Sequence, residues 1–329
     1  MNDFLKLMRW KNLIFIALTQ LLITFCLVTP TLNMFRVQPL TPWWALLLIV
    51  AGTVCIAAGG YVVNDYFDLK IDRINKPEKV LIGNTIEKKS AMRLYQTLTI
   101  MGVVAGLAAT IALHSWTLGF VFVVVPGMLW FYSASYKRQF IVGNVIVAMS
   151  AALVPLLPVI AECGLLQERY GDLIRETPVI ATLLGWGGGF ALFAFLWTLV
   201  REIIKDMEDE YGDREMECRT MPIICGQTWT KIVVTALVVT INILLAYFIE
   251  KKIALPGDES VTLRYFIMGL AVPSLCLIGI LWSKSCAAYH NASTLCKFIM
   301  GVGVFYCMIY NFLIAKAFHL ALFGIFYVA

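Results

Sequence analysis

Six aspartates and one asparagine fall into two short runs of matched spacing: Asn64, Asp65, Asp68 and Asp72, then Asp206, Asp209 and Asp213. The first run ends a stretch, Thr41 to Asn64, that carries no charge. Steps of four residues advance a helix by about 400°, so successive members sit about 40° apart and share one face. Asn64, Asp68 and Asp72 make such a row, as do Arg201, Lys205, Asp209 and Asp213. Asp65 stands one step aside, within reach of a second ion or a hydrogen bond. Carboxylates stacked this way repel one another unless a cation lies between them.

Charges just past an apolar helix are ordinarily solvated, and Lys or Arg beside Asp or Glu ordinarily make weak surface pairs. Two runs with the same spacing in the same context are harder to explain that way. Oxygen ligands borne on helices suit Mg²⁺, which keeps its waters and takes one or two carboxylates together with phosphate oxygens. Such ions clamp a diphosphate, and nearby Lys or Arg neutralise the charge left when it departs. With the apolar helices beside them, the runs point to a ligand with a diphosphate head and a lipid-soluble tail: a polyprenyl diphosphate.

The rest of the chain must hold these groups at one end of an apolar bundle. Of 329 residues, 60% are hydrophobic and 14% charged, against about 25% charged in soluble domains. Uncharged runs of this length read as membrane spans of about 20 residues. Nine are expected, near 12–30, 42–64, 90–112, 116–136, 142–162, 178–200, 231–249, 264–283 and 298–325, with a tight hairpin at "YKRQF" between the fourth and fifth. The fold class is therefore an all-α integral membrane protein, a single transmembrane domain over 1–329. The start resembles a signal peptide but lacks a small-residue cleavage site, so it is read as a retained first span. Of the 26 Lys and Arg, only Arg36, Arg169, Arg175, Lys251, Lys252 and Arg264, with Lys316 inside the last span, avoid the side that carries the N-terminus. The positive-inside bias places that N-terminus, and both acidic runs at the ends of spans 2 and 6, in the cytoplasm. The net charge of +5 is then a topology signal and needs no nucleic acid. Nine scattered cysteines, with no C-x-x-C, argue against a disulfide framework or zinc site. "GWGGGF" lies inside span 6 and reads as close helix packing. Tyr61, Phe67, Trp130, Phe131 and Trp197 read as packing or interface aromatics. His114, His290 and His319 lie away from the acidic runs.

Asn64-Asp65-x-x-Asp68-x-x-x-Asp72 resembles the first signature of the UbiA-type intramembrane prenyltransferases, and Asp206-x-x-Asp209-x-x-x-Asp213 resembles their second. Asn75, Pro77 and Gly83, and Arg219-Thr220-x-Pro222-x-x-x-Gly226, are similar to the family's flanking segments. The chain departs from the family at Lys79-Val80, where Arg-Pro is frequent, and at Arg9-Trp10-Lys11-Asn12. The resemblance implies Mg²⁺-dependent transfer of a prenyl group: the diphosphate ionises, an acceptor nucleophile attacks C1, and a proton is lost. It assigns Asn64, Asp68 and Asp72 to one ion, with Asp65 close by, and Asp209 and Asp213 to the other, with Asp206 close by. Asp68, Asp72, Asp209 and Asp213 form the catalytic core. Lys137, Arg201, Lys205, Arg219 and Lys79 are the diphosphate contacts.

The acceptor is read from resemblance alone. Arg201 to Gly226 is most similar to the branch that alkylates geranylgeranylglyceryl phosphate. Lys70, Arg73, Lys76 and Lys79 then offer a second basic locus for the acceptor phosphate. An aromatic quinone precursor, 4-hydroxybenzoate or dihydroxynaphthoate, is the alternative. An ion-coupled transporter is the alternative of another class, but its acids are expected near the midplane rather than at one end.

Overall fold

The computed structural model describes residues 3–252, 258, 260–283, 287–322 and 326–327. Among these, nine helices are long and apolar enough to cross a membrane: Trp10–Met34, Trp43–Phe67, Lys88–Ala112, Trp116–Ala134, Val142–Tyr170, Pro178–Glu208, Gln227–Glu250, Val261–Leu281 and Ala288–Phe318. They match the expected spans except the last, which starts ten residues earlier and stops at Phe318. Its first turns precede the expected start, and Ala292, Ser293 and Cys296 are buried there. His319 ends it in the left-handed region, φ 52°. Beyond it, the described residues Ala321–Leu322 and Phe326–Tyr327 form a two-stranded antiparallel pair.

Spans 1 and 8 each contain a π-helical turn, Thr24–Val28 and Ile267–Ala271. Each turn is followed within two residues by a proline, Pro30 or Pro273. Proline lacks the N–H that would close the ordinary ladder, and a wider turn absorbs the defect. Glycines let spans 2 and 3 approach closely: a Cβ on Gly102 would lie 3.0 Å from the Gly52 carbonyl oxygen and 3.0 Å from the Ile56 nitrogen. Between helices in lipid, such small-residue contacts supply the packing that hydrophobic burial cannot. In "GWGGGF" only Gly187 plays this part, against Val159, while Gly185, Gly188 and Gly189 face open space. The expectation of close packing holds for one glycine of four.

One core joins spans 1, 5, 6, 7, 8 and 9 around Trp197, Leu277 and Tyr310. A second joins spans 2 to 5 around Phe122. A third, small one fixes the first acidic loop: Leu69, Ile82 and Ile86 bury against Leu7, Val62 and Ala91. Large apolar side chains face outward at Trp116, Ile111 and Met268, as lipid contact requires.

Candidate active site

Both acidic runs lie at one end of the bundle. Span 2 does not run straight through the first: it ends at Phe67, Asp68 caps it, and a short helix restarts at Leu69–Asn75. Span 6 likewise ends at Glu208, with Asp209 as cap and a short helix Glu210–Glu215 beyond. The i+4 backbone bonds continue through both junctions: Asp68 N–H donates to the Asn64 carbonyl and Asp72 N–H to the Asp68 carbonyl, and Asp209 and Asp213 N–H donate likewise to Lys205 and Asp209. Asp68 and Asp213 are both buried.

Asn64 Nδ2 donates to Asp68 Oδ2 at 2.7 Å, and Lys137 pairs with the same oxygen. Lys137 comes from the turn Tyr136–Arg138 between spans 4 and 5. Burial opposes its charge, but Asp68, Tyr132 and Asp72 together raise its pKa, so it stays cationic. Asp65 is turned away from Asp68 and pairs with Arg9 at 2.7 Å. Arg9 is aimed by a left-handed backbone, φ 53°, uncommon outside glycine, and lies over the Tyr61 ring at 4.9 Å.

In the second run Asp206 accepts from Asn144 Nδ2 at 2.8 Å. Asp209 accepts from Lys76 Nζ at 2.6 Å, and Lys76 lies 3.6 Å from Glu208. Burial opposes the Lys76 charge, but the bond to Asp209 raises its pKa. Asn75 fastens the runs together: its Nδ2 donates to the Asp209 carbonyl at 3.1 Å, and its Oδ1 accepts from the Gly212 N–H at 2.9 Å. A Cβ at Gly212 would lie 2.5 Å from Asn75 Nδ2, so glycine is needed there for the clamp to close. Burial pushes the Asp72 carboxyl up to about 6, with repulsion from Asp68 next and smaller contributions from Asp65 and Asp209. Burial pushes Asp213 up to about 6 as well, with Asp209 and Asp68 adding repulsion. Carboxylates from each run thus feel those of the other across one space.

Among the described residues no three Asp, Glu, His or Cys side chains form a ready metal cage. The donor set still suits Mg²⁺, which takes few protein ligands. Asn64 Oδ1 is buried with no hydrogen-bond partner, an acceptor oxygen beside Asp68 that a cation would satisfy.

A cavity of about 410 Å³ opens beside Asn64 and runs into the bundle between spans 1, 2, 4, 5, 6 and 9. This lies within the about 300–1,000 Å³ of ordinary ligand pockets. Phe122, Leu129, Val154 and Phe193 line its interior. Arg9, Arg201, Lys205, Lys297 and Glu202 line it as well. Arg201 pairs with Glu202, and Lys205 does so at 3.1 Å.

Of the residues expected from sequence, the structure gathers Asn64, Asp68, Asp72, Asp206, Asp209, Asp213 and Lys137 around one space, with Arg201 and Lys205 on the adjoining cavity. Arg219 is not brought in: its side chain is exposed, and its N–H bonds the Arg138 carbonyl at 2.9 Å. The side chain of Lys79 lies outside the described residues. Lys76, expected on an acceptor locus, instead belongs to the second acidic run. His290, expected to lie apart, reaches Glu208 at 3.2 Å. Trp197 is fully buried core, as expected. Glu202, Asn144 and Lys297 were missed. Glu202 adjoins Arg201 and reads as a surface pair, while Asn144 and Lys297 sit on spans that carry no motif.

The family model described as the UbiA prenyltransferase family matches residues 21–284. The chain belongs to the UbiA prenyltransferase family. This UbiA family member is 32% identical over 262 residues to the digeranylgeranylglyceryl phosphate synthase of Thermococcus kodakarensis, covering 79% of this chain and 81% of that protein. It is 33% identical over 201 residues to the synthase of the same name from Sulfurisphaera tokodaii, covering 59% of this chain and 64% of that protein. Against the Ignicoccus hospitalis synthase the match is 31% and spans 52% of that protein. The chain thus spans less than two thirds of these last two relatives. Its fold is similar to that of a UbiA homologue from Aeropyrum pernix K1, TM-score 0.61 at 15% identity, covering 89% of this chain and 98% of that one. It is also similar to a UbiA homologue from Archaeoglobus fulgidus bound to GPP and Mg²⁺, TM-score 0.54 at 14% identity, covering 92% and 98%.

Proposed function

We propose that this UbiA family member transfers a prenyl group, geranylgeranyl, from its diphosphate to the hydroxyl of geranylgeranylglyceryl phosphate. The observation that carries the transfer is that a largely apolar cavity opens beside Asn64 of the first acidic run, with the second run fastened to the first through Asn75. A prenyl tail enters the cavity, and its diphosphate comes to rest against Asn64, Asp68, Asp72, Asp209 and Asp213. Mg²⁺ bound to those side chains would neutralise them and hold diphosphate oxygens. Lys137 and Lys76 stabilise the charge that grows on diphosphate as the C1–O bond breaks. The lining of Phe122, Leu129, Val154 and Phe193 keeps water from the allylic cation until the acceptor oxygen attacks C1 and loses its proton. The Archaeoglobus fulgidus homologue with GPP and Mg²⁺ and the shared name of the curated relatives support the donor and the acceptor respectively. The Lys and Arg bias supports a cytoplasmic site.

A competition assay tests the acceptor. With geranylgeranylglyceryl phosphate, 4-hydroxybenzoate and dihydroxynaphthoate at equal concentration, the product mass is expected to be that of the doubly prenylated glyceryl phosphate. An aromatic product would replace the acceptor while leaving the prenyl transfer standing.

A further inference from the structure

The site is electrically divided. Around Asp68 and Asp209 stand Lys137 and Lys76, each already bound to that carboxylate. On the cavity beside them the balance reverses: Arg9, Arg201, Lys205 and Lys297 line it with Glu202 as the one acidic side chain. These cations come from spans 6 and 9 and from the residue just before span 1, not from the helix that carries the first motif. Arg201 and Lys205 share Glu202, and Arg9 is held by Asp65. Lys297 makes no ion pair with a described residue, and Arg201 Nε is buried without an acceptor. An acidic half accepts an anion only after cations have bound. A basic half accepts an anion directly, and gives the buried Arg201 Nε an acceptor in doing so.

We propose that Arg201, Lys205 and Lys297 form a metal-independent site for the phosphate monoester of the acceptor, separate from the metal-dependent diphosphate site of the donor. This rests on the proposed acceptor class and moves the acceptor phosphate from the loop after span 2 to the cavity. Lys297 is the specificity-determining residue, because its charge is the one left uncommitted. Asn64 lines the same cavity as the basic residues and bonds Asp68, so the two anionic heads meet one cavity that is open to both tails.

The test separates binding from turnover. Purified protein is equilibrated with labelled geranylgeranylglyceryl phosphate in EDTA, and in parallel with labelled geranylgeranyl diphosphate in Mg²⁺. The glyceryl phosphate ether is expected to bind without metal. Lys297→Gln is expected to weaken that binding by about tenfold or more, the loss of a charged hydrogen bond, and to leave donor binding unchanged. Lys297→Arg is expected to restore it, and geranylgeranylglycerol, which lacks the phosphate, is expected to be indifferent to either change. Acceptor binding that requires Mg²⁺, survives Lys297→Gln unaltered, or weakens equally for the neutral alcohol would overturn the inference. Failure of the proposed function is read separately, as an aromatic product in the competition assay.

Discussion

Asp68→Ala and Asp209→Ala are each expected to lower prenyl transfer by about 10²–10³ or more, the loss typical of one preorganised electrostatic contact at a reacting centre. Each aspartate is the meeting point of its run. Asp68 binds Asn64 and Lys137, and Asp209 binds Lys76 while its carbonyl holds Asn75. Removing Asp68 frees a lysine whose side chain is 31% exposed, so water replaces the lost partner. The penalty for stranding a fully buried charge is reduced by that exposure, and the fold is expected to survive. The measurement is initial rate together with thermal unfolding in detergent. Wild-type rates in either variant would remove that aspartate from the active site; a collapsed melting temperature would make its role structural.

The second large effect is expected at Lys137. Lys137→Gln is expected to slow donor ionisation by about 10²–10³ and to leave the acceptor KM near its wild-type value. Lys137 is the cation that reaches Asp68 from outside both runs, and Asp68, Tyr132 and Asp72 together keep it charged. Glutamine preserves length and hydrogen bonding while removing the charge, so the comparison isolates electrostatics. Single-turnover release of diphosphate from labelled donor reads the ionisation step directly. A change confined to the acceptor KM would assign Lys137 to the other substrate.

Much of this was legible in the sequence because the signals were local. Uncharged runs of membrane length mark the spans, and paired aspartates at fixed intervals mark the site. The last span is present but displaced: its start at Ala288 precedes the expected one because the polar Ser293 is buried inside the bundle. The reassignment of Lys76 depends on a contact with Asp209 across 133 positions. Asn144 reaches Asp206, and Lys297 reaches the cavity, from spans with no motif. Long-range juxtapositions of that kind are set by packing of the bundle, and the linear chain carries no mark of them.

The central claim is metal-dependent prenyl transfer at the two acidic runs. It is tested most directly by incubating purified protein with labelled geranylgeranyl diphosphate and geranylgeranylglyceryl phosphate in Mg²⁺, in EDTA, and in EDTA with Mg²⁺ restored. The account predicts labelled lipid product with Mg²⁺, none above background in EDTA, and recovery on adding the metal back. Undiminished product in EDTA, or intact donor in every condition, would contradict it.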